Sequence, residues 1–535
     1  MALFNVIENI NNYINKEEYV GTFLLQIDNW NDWWEYKTLF NMFYINKIGD
    51  YIRLGYLKIA DEQTKYNYNI KEVCKPKIPH SFDKLDESFF TLGQSREYYE
   101  NLLKLSNAIE KNLFIPLRDI SYRLDIYEKV KDKHVTKRSL KRDVSDTTIK
   151  SQFHRISNGG AVLTKYDFAF KYRQNIKSLQ KKFNIMSCQV NPKSIPATNI
   201  HVIIGRNGAG KTRLLHNMVK SYLDENTNDY FVKMKYEYDH SEGKIEKKLI
   251  EENCDKDIFP NLIYSSYNAF DDMKILYGKN YSYLGLRKEV QQESKISYKT
   301  KNIDELTIEF INSFRNCMTY EKAPRLSRAL KMLEFDLIFA DAKLSDFLNV
   351  NKLIVGKKDE EMINKLLEKR FEKFSTGHRV ILITITKLVD SLEEQSLVLL
   401  DEPENHLHPP LLSAFIRCLS DLLFNRNAVA IIATHSSIVL QEVPRKCVWK
   451  INRSGYESSI KRPSIETFGT SHSDLNEEVF RVDIEKTGFH QLIKTEVGNC
   501  DSFNQLYERF EGQIGEEAEI LARTLFYIED KAHES

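Results

Sequence analysis

Cysteine, glycine and proline are scarce in this chain, and the cysteines follow no recognisable pattern. The seven cysteines are an odd number, lie far apart and form no CxxC pair. This spacing excludes a disulfide framework and argues against a structural zinc site, so we predict a reducing, cytoplasmic location. With 20 glycines and 12 prolines among 535 residues, long disordered linkers are not expected either.

The chain also lacks a charge excess, a membrane segment and an export signal. It has 77 Lys and Arg against 76 Asp and Glu, a formal net charge of +1, which excludes a uniformly basic nucleic-acid binder. The best apolar run, Val380–Val389, contains Lys387 and is shorter than the about 18–20 residues of a membrane helix. The N-terminus has no basic segment followed by an apolar one, so we predict no signal peptide.

The overall neutrality hides two oppositely charged regions. Between Glu128 and Arg155 there are nine basic residues against four acidic ones, and the segment from Lys171 to Lys182 has five more and no acidic residue. A solvated surface is the ordinary interpretation of such a segment, and a contact surface for nucleic-acid phosphates is the functional one. Residues 501–535 have nine acidic residues against three basic ones.

A complete phosphate-binding loop occupies residues 205–212. It consists of Gly205, Arg206, Asn207, Gly208, Ala209, Gly210, Lys211 and Thr212, and it fits GxxxxGK[ST] at every fixed position. A short apolar strand precedes it and an amphipathic helix follows it. In this context the glycines let backbone N–H groups surround phosphates, Lys211 contributes a cation, and Thr212 offers a hydroxyl to Mg²⁺.

Two more apolar strands end in residues suited to phosphate chemistry. The strand 396–400 runs into Asp401, a candidate magnesium ligand, and Glu402, a candidate for orienting or deprotonating water. The strand 428–434 ends at His435, which we predict to lie beside the loop strand and to sense the γ-phosphate.

The segment Phe374-Ser375-Thr376-Gly377-His378 stands immediately before a helical run. Ser375 at a helix N-terminus is ordinarily a cap. The functional alternative is an anion site built from the Ser375 hydroxyl, free backbone N–H groups and the helix dipole. The order of the motifs along the chain favours the second interpretation.

Taken together, these motifs resemble the ABC-type ATPases of the SMC, Rad50 and OLD-like branch. GRNGAGKT resembles Walker A, FSTGH the ABC signature, LVLLDEPENHLHP Walker B running into the D-loop, and IIATHS the switch-histidine strand. The narrower resemblance is to the ATPase subunit of Septu-type and retron-associated antiphage defence systems. It implies ATP and Mg²⁺ as ligands, with Lys211, Glu402 and His435 in catalysis and Thr212 and Asp401 at the metal. In a head-to-head homodimer, Ser375 and Gly377 would bind the γ-phosphate of the other head.

The chain departs from this group at three points. The usual Q-loop glutamine is missing from YSSYNAF (264–270), where Asn268 or Ser266 is a candidate replacement. His378 replaces the usual Gln or Glu of the signature. No sustained heptad pattern separates the P-loop from the signature, which excludes a long coiled coil. We also find no TOPRIM, HNH or HExxH motif, and we interpret His406 and His408 as D-loop residues rather than as a metal pair.

We therefore predict an α/β protein, a P-loop NTPase of the ABC-head type with a helical insertion lobe and an α+β N-terminal accessory region. The predicted accessory region (1–150) contains strands at 23–30, 51–59 and 89–93 and helices at 97–113 and 120–130. The other predicted parts are the head N-lobe (151–287), the helical lobe (288–370), the head C-lobe (371–465) and an acidic, partner-binding C-terminal segment (466–535).

The function predicted from these features is ATP binding and hydrolysis, with dimerisation around ATP and control of a separate nuclease or toxin in bacterial antiphage defence. Nucleic acid is a further candidate partner, and a membrane is not. The alternative is a nucleotide-gated scaffold with little turnover that sequesters an effector. A weaker alternative is the ATP-binding subunit of a transporter.

Overall fold

The fold is taken from a computed structural model, and the description below concerns only part of the chain. The described residues are 3–10, 13, 17–28, 35–63, 66, 73–109, 111–160, 162–173, 183–223, 229–239, 244–249, 258–268, 274–292, 295–318, 322–348, 357–405, 407–454, 457–484 and 488–534. His406 and the basic residues Lys177, Lys181 and Lys182 lie outside them.

The N-terminal part of the chain is built on a mixed six-stranded sheet in the order β5-β1-β2-β3-β4-β6. Its strands are β1 (Phe4–Ile7), β2 (Phe23–Ile27), β3 (Leu39–Ile45), β4 (Tyr51–Asp61), β5 (Ser81–Phe82) and β6 (Phe89–Gly93). Its α-helices are α1 (Arg96–Ala108), α2 (Leu124–Val130), α3 (Asp146–Thr148) and α4 (His154–Ser157), with π-helical turns at Thr136–Leu140 and Ile149–Phe153.

The predicted strands at 51–59 and 89–93 are confirmed, and the strand predicted at 23–30 is found over Phe23–Ile27, with residues 29 and 30 outside the described ranges. Both predicted helices exist with shorter bounds. The second one begins at Leu124, because Asp119 organises the preceding residues into a turn. Asp119 Oδ1 accepts hydrogen bonds from Ser121 N at 2.9 Å and from Tyr122 N at 3.1 Å. A buried carboxylate that binds the next backbone N–H groups competes with helix formation.

A seven-stranded sheet in the order β13-β12-β16-β17-β9-β18-β19 forms the centre of the molecule. All neighbours pair in parallel except β18 and β19. The strands are β9 (Ile200–Ile204), β12 (Leu262–Ser266), β13 (Tyr281–Gly285), β16 (Leu397–Asp401), β17 (Val429–Thr434), β18 (Val448–Ser454) and β19 (Glu457–Lys461). Strands such as β16 and β17, which are apolar except for the last residue, are typical of a parallel sheet covered on both faces.

Two smaller sheets flank the central one. The first has the order β11-β10-β7-β8, and the second is the hairpin of β14 and β15. Their strands are β7 (Tyr166–Arg173), β8 (Phe183–Val190), β10 (Tyr230–Asp239), β11 (Lys244–Leu249), β14 (Arg287–Gln292) and β15 (Lys295–Thr300). The predicted helical lobe therefore begins with a hairpin and becomes helical at residue 303.

Helices cover the central sheet, and three more form the C-terminus. They are α5 (Lys211–Tyr222), α6 (Ile303–Asn316), α7 (Lys322–Leu333), α8 (Leu337–Ala342), α9 (Leu344–Leu348), α10 (Lys357–Phe371), α11 (Thr376–Ser391), α12 (Pro409–Asn425), α13 (Ser437–Gln441), α14 (His472–Ile484), α15 (Gly488–Val497), α16 (Phe503–Arg509) and α17 (Glu516–Glu534). The last three share a small apolar cluster of their own. None of the helices in the described ranges has the length and apolar character needed to cross a bilayer.

Polar contacts join the N-terminal part to the loop that precedes β16. Ser145 Oγ donates to Glu393 Oε2 at 3.1 Å, and Ser151 Oγ donates to Glu394 Oε2 at 2.7 Å. Arg155 also pairs with Glu394, whose side chain is 1% exposed. Burial raises the pKa of Glu393, as expected for a carboxylate removed from water.

Most of the basic residues between Glu128 and Arg155 are paired with carboxylates. The pairs are Lys131 and Lys150 with Glu128, Lys133 with Glu62, Lys137 with Asp132, Arg138 with Glu35, Lys141 with Asp146, and Arg155 with Glu394. Such pairing weakens the attraction of the segment for phosphates. The ordinary interpretation of this basic segment is therefore favoured over a nucleic-acid surface.

Candidate nucleotide site at the carboxyl edge of the central sheet

The phosphate-binding loop connects β9 to α5, as the strand–loop–helix pattern predicts. Gly205 is buried where β18 passes alongside, and a Cβ on it would lie 2.4 Å from the carbonyl oxygen of Ile451. Gly208 and Gly210 have φ of 76° and 98°, a region that favours glycine. Arg206, Asn207 and Gly208 are exposed at the tip of the loop, while Ala209 is buried at its base.

Lys211 is folded over the loop that it follows. Its Nζ donates to the carbonyl oxygens of Gly205 at 3.0 Å and Arg206 at 3.3 Å. Burial lowers the pKa of Lys211, and the charges of Glu402, Asp401 and Glu404 oppose that shift. The ammonium group therefore lies among backbone dipoles and acids, where an incoming phosphate would be a stronger partner.

Thr212 and Asp401 come together at the end of β16. Thr212 Oγ1 donates to Asp401 Oδ1 at 3.1 Å, although the two residues belong to motifs far apart in the sequence. The described residues contain no group of three or more His, Cys, Asp or Glu that could hold a metal by itself. A hydroxyl and one carboxylate fit Mg²⁺, which usually takes one or two carboxylates and completes its shell with phosphate oxygens and water.

Ser266 is a further hydroxyl at the same edge of the sheet. It ends β12 and pairs in register with Asp401, so both side chains point to the same face. Its side chain is buried, and its Oγ has no hydrogen-bond partner among the described residues. A buried polar atom without a partner suggests a missing ligand or water. Of the two candidate replacements for the Q-loop glutamine, Ser266 therefore has the better structural support.

Glu402 adopts a backbone conformation that is unusual for a residue with a side chain. Its φ is 46°, and its N–H donates to the carbonyl oxygen of Ala433 at 2.8 Å in the neighbouring strand. Strain of this kind concentrates at functional sites. This conformation coincides with the end of β16 at Asp401.

His435 lies between two carboxylates at the end of β17. Its Nδ1 is 3.2 Å from Glu404 Oε1 and 3.6 Å from Glu402 Oε1. The second distance exceeds that of a good hydrogen bond, so Glu402 acts mainly through its charge. Glu402 raises the pKa of His435, burial opposes the rise, and Glu404 adds to it. Conversely, His435 lowers the pKa of Glu402 against the effect of burial.

Glu404 is the residue that the sequence analysis missed. Its Oε1 accepts hydrogen bonds from Thr434 Oγ1 at 2.6 Å and from the backbone N–H of His435 at 2.9 Å. Its side chain is only 9% exposed, and this burial distinguishes it from an ordinary acid after a strand. Glu404 thereby holds the end of β17 and the imidazole of His435 in place.

The signature segment begins α11, and its serine does not act as an ordinary cap. Ser375 has extended backbone angles at the N-cap position, but its side chain makes no capping bond. Its Oγ instead lies 2.5 Å from His378 Nδ1. Ser375 is exposed, whereas Gly377 and His378 are buried. Ser375 therefore lies at the surface, and its hydroxyl contacts a buried imidazole.

A comparison over the whole chain identifies the family. The chain is 35% identical over 550 residues to "Protein ea59" of Escherichia phage lambda, and the match covers 99% of each protein. The chain belongs to the ea59 family. Within this ea59-family chain, residues 291–441 match the family described as "AAA domain, putative AbiEii toxin, Type IV TA system". That match includes the signature segment, Asp401, Glu402 and His435.

Solved ATPase heads align with more than half of the chain at low similarity. The SMC head domain from Thermotoga maritima covers 57% of this chain and 100% of its own, with 11% identity and a TM-score of 0.27. An SMC head bound to the C-terminal winged-helix domain of ScpA covers 56% and 98%, with 10% identity and a TM-score of 0.30. The α/β fold, a P-loop NTPase head of the ABC and SMC type with a helical region, follows from the strand order and the position of the motifs on it.

Proposed function

We propose that this ea59-family protein binds ATP with Mg²⁺, hydrolyses it, and closes head to head with a second copy around the nucleotide. One observation supports this best. The phosphate-binding loop, Asp401, Glu402 and His435 meet at the carboxyl edge of one parallel sheet, with Thr212 in hydrogen-bond contact with Asp401. Ligands of open α/β sheets bind at this edge.

The contacts of each residue support the role proposed for it. Lys211 and the N–H groups of the loop bind the β- and γ-phosphates, and Thr212 and Asp401 hold the ion, which neutralises phosphate charge when bound. Glu402 orients the attacking water and accepts its proton. His435, held by Glu404, contacts the γ-phosphate side of the site. Ser375 and Gly377, exposed and buried at the start of α11, act on the nucleotide of the second copy.

The test of this proposal combines nucleotide binding with association. The purified protein is expected to bind ATP and to form a dimer that depends on ATP, measured by light scattering after gel filtration. Lys211→Ala is expected to abolish both, since it removes the cation that faces the phosphates. Thermal unfolding of K211A in the absence of nucleotide checks that it is folded. Unchanged ATP binding by a folded K211A protein would refute the assignment of the site.

The finer proposal is that the closed dimer controls a separate nuclease or toxin in antiphage defence. It is supported by the resemblance of FSTGH and DEPENHLHP to defence ATPases, by the absence of a nuclease motif, and by the toxin–antitoxin wording of the matching family. The experiment is phage infection of cells that express this protein with the product of the neighbouring reading frame. Fewer plaques are expected, and K211A is expected to restore them. Equal plaque numbers with and without the pair would contradict this role.

A nucleotide-gated scaffold with little turnover is the second candidate, because one specific observation favours it. The pKa of Glu402 is lowered by His435, and a lower pKa makes a carboxylate a weaker base. This scaffold would be purified with unhydrolysed ATP bound. An ATPase would release phosphate steadily, so chromatography of the bound nucleotide together with a phosphate-release assay separates the two functions.

A further inference from the structure

The signature histidine is the one departure from the family pattern that the proposed function leaves unexplained. His378 is buried in the first turn of α11, with 8% of its surface exposed. Its Nδ1 contacts Ser375 Oγ at 2.5 Å, and its Nε2 lies 3.3 Å from Asp336 Oδ1. A Ser–His–Asp chain thus runs from the exposed residue Ser375 into the protein.

Asp336 is itself held in a fixed position. It caps α8, where its Oδ1 accepts a hydrogen bond from the N–H of Ile338 at 2.9 Å. Burial disfavours its charge, but contacts with His378 and with backbone N–H groups lower the pKa of Asp336 overall. The contact between Asp336 and His378 is not well aligned for a hydrogen bond, so it acts mainly through charge. An ionised carboxylate 3.3 Å from Nε2 favours the tautomer with its hydrogen on that nitrogen, because a lone pair there would be repelled by the charge.

The position of the hydrogen on His378 decides whether Ser375 can donate a hydrogen bond to a phosphate, because the Ser375 hydroxyl has a single hydrogen. When His378 is neutral with its hydrogen on Nε2, Nδ1 is an acceptor and takes the hydrogen of Ser375. The serine oxygen then presents only lone pairs outward, which repel a phosphate. When His378 carries a second proton, Nδ1–H donates to the serine oxygen. The hydroxyl hydrogen of Ser375 is then free to be donated to a phosphate oxygen.

Other charged groups near His378 set the conditions for this second proton. Asp336, before α8, favours it. His408 lies before α12, with its ring centre 6.3 Å from that of His378, and opposes it when charged. On the same helix, the guanidinium of Arg379 is bound by the carbonyl oxygens of Phe371 and Glu372. The remaining ring neighbours of His378, Phe339 and Phe374, carry no charge.

We propose that His378 and Asp336 are positioning residues that direct the hydroxyl hydrogen of Ser375 toward the γ-phosphate of an ATP molecule bound to a second copy of the chain. This inference rests on the proposed function, because it requires the ATP-dependent dimer. In the pH range where His378 of the free monomer is neutral, each signature then takes up one proton from solvent when the dimer closes. Closure therefore becomes tighter as the pH falls.

The experiment measures dimer formation in ATP and Mg²⁺ between about pH 6 and pH 8.5, the range in which histidines usually titrate. Glu402→Gln is the parent protein, because slow hydrolysis lets the dimer accumulate. The apparent affinity of the dimer is expected to fall with rising pH, by at most about tenfold per signature per pH unit for one linked proton. Calorimetry in two buffers of different ionisation enthalpy is expected to show proton uptake on closure.

Two variants isolate the histidine from the titration of ATP and of other groups. His378→Gln offers an amide N–H to Ser375 at every pH, so its pH slope is expected to be smaller than that of the parent. Asp336→Asn removes the charge that favours a hydrogen on Nε2. Neutral His378 can then carry its hydrogen on Nδ1 and donate it to Ser375. The dimer of this variant is therefore expected to be tighter than the parent dimer at pH 8.5. Binding of ATP to the monomer, which uses Lys211 and not Ser375, is the control for folding in both variants.

The outcomes separate this inference from the proposed function. If the parent does not associate in ATP at any pH, the dimer itself is refuted, and this inference with it. If the parent associates but H378Q, folded by the monomer-binding control, keeps the same pH slope and proton uptake, only the inference is refuted. If H378Q does not fold, the same decision is made on D336N, for which an unchanged slope is the refuting result.

Discussion

The carboxyl edge of the central sheet and the signature turn both place a histidine beside a carboxylate, but in opposite surroundings. His435 has 43% of its side chain exposed and is flanked by Glu402 and Glu404. His378 has 10% of its side chain exposed and lies between a hydroxyl and one acid. At the sheet edge, His435 itself faces the candidate site. At the signature turn, Ser375 is the exposed residue and His378 is buried behind it.

The difference reflects how the sheet edge and the signature turn are assembled. Parallel pairing of β9, β16 and β17 brings the loop, Asp401 and His435 to one edge of the sheet within a single chain. The signature turn is presented by the start of one helix, and its contacts behind Ser375 are with the residue that caps α8 and with the turn before α12. Under the proposed mechanism, the residues of the sheet edge are complete within one copy, and the signature turn acts on the nucleotide of another copy.

The largest effect is expected from Glu402→Gln, which changes the sheet edge alone. Loss of the base is expected to lower ATP turnover by about 10²–10⁴-fold, with ATP binding retained. A phosphate-release assay measures the turnover, and equilibrium binding measures the affinity for ATP. Glu442→Gln is the matched control, since Glu442 pairs with Arg417 away from the site. Turnover equal to that of the parent would remove Glu402 from the mechanism.

Substitution of Glu404 tests whether His435 needs its support. Glu404→Ala removes the acceptor of Thr434 and of the His435 N–H, and it is expected to lower turnover about 10- to 100-fold, as is usual for groups that orient functional side chains. Glu404→Gln keeps an acceptor oxygen but removes the charge. It is expected to retain more activity and to shift the pH profile of turnover to lower pH. Identical profiles for E404Q and the parent would contradict a role for the charge.

Gly205→Ala tests the close approach of β18 to the phosphate-binding loop. The added Cβ would lie 2.4 Å from a backbone oxygen, which cannot move without shifting the strand. We expect a loss of about 1–3 kcal/mol in the free energy of unfolding, together with weaker ATP binding. Urea denaturation measures the free energy of unfolding. Gly515→Ala is the matched control, because Gly515, like Gly205, has no positive φ and its added Cβ would meet no atom within 4 Å. A loss in G205A no larger than that in G515A would show that the contact with β18 is unimportant.

The smallest effect is the pH dependence that His435 contributes to stability. Because its folded-state pKa is raised, its contribution is fully present below the unfolded value of about 6.5 and is lost as the pH rises through the folded value. His435→Asn is therefore expected to cost more stability at about pH 6 than at about pH 9. Denaturant titrations of both proteins at the two pH values measure this. A larger cost at the higher pH would mean that the sign is wrong.

Much of the fold and of the sheet-edge site could be predicted from local patterns. Apolar runs predicted β9, β16 and β17, and the residues at their ends predicted what meets there. The roles of the site residues stay predictions until they are measured, and so do the domain boundaries. The bounds of helices were less predictable, since the turn at Asp119 depends on a buried carboxylate. Glu404 was missed because it looks like any acid after a strand until its burial against Thr434 is seen.

The sequence by itself determined which segments form the candidate nucleotide site, because a phosphate-binding loop and strand-end acids are properties of short segments and of their spacing. The tertiary structure alone decided which residues stand behind those that face the site. Asp336 contacts His378 only because α8 packs against the start of α11, and Glu404 contacts His435 only because β16 and β17 pair in register. Such contacts depend on packing between distant segments, which no local pattern specifies.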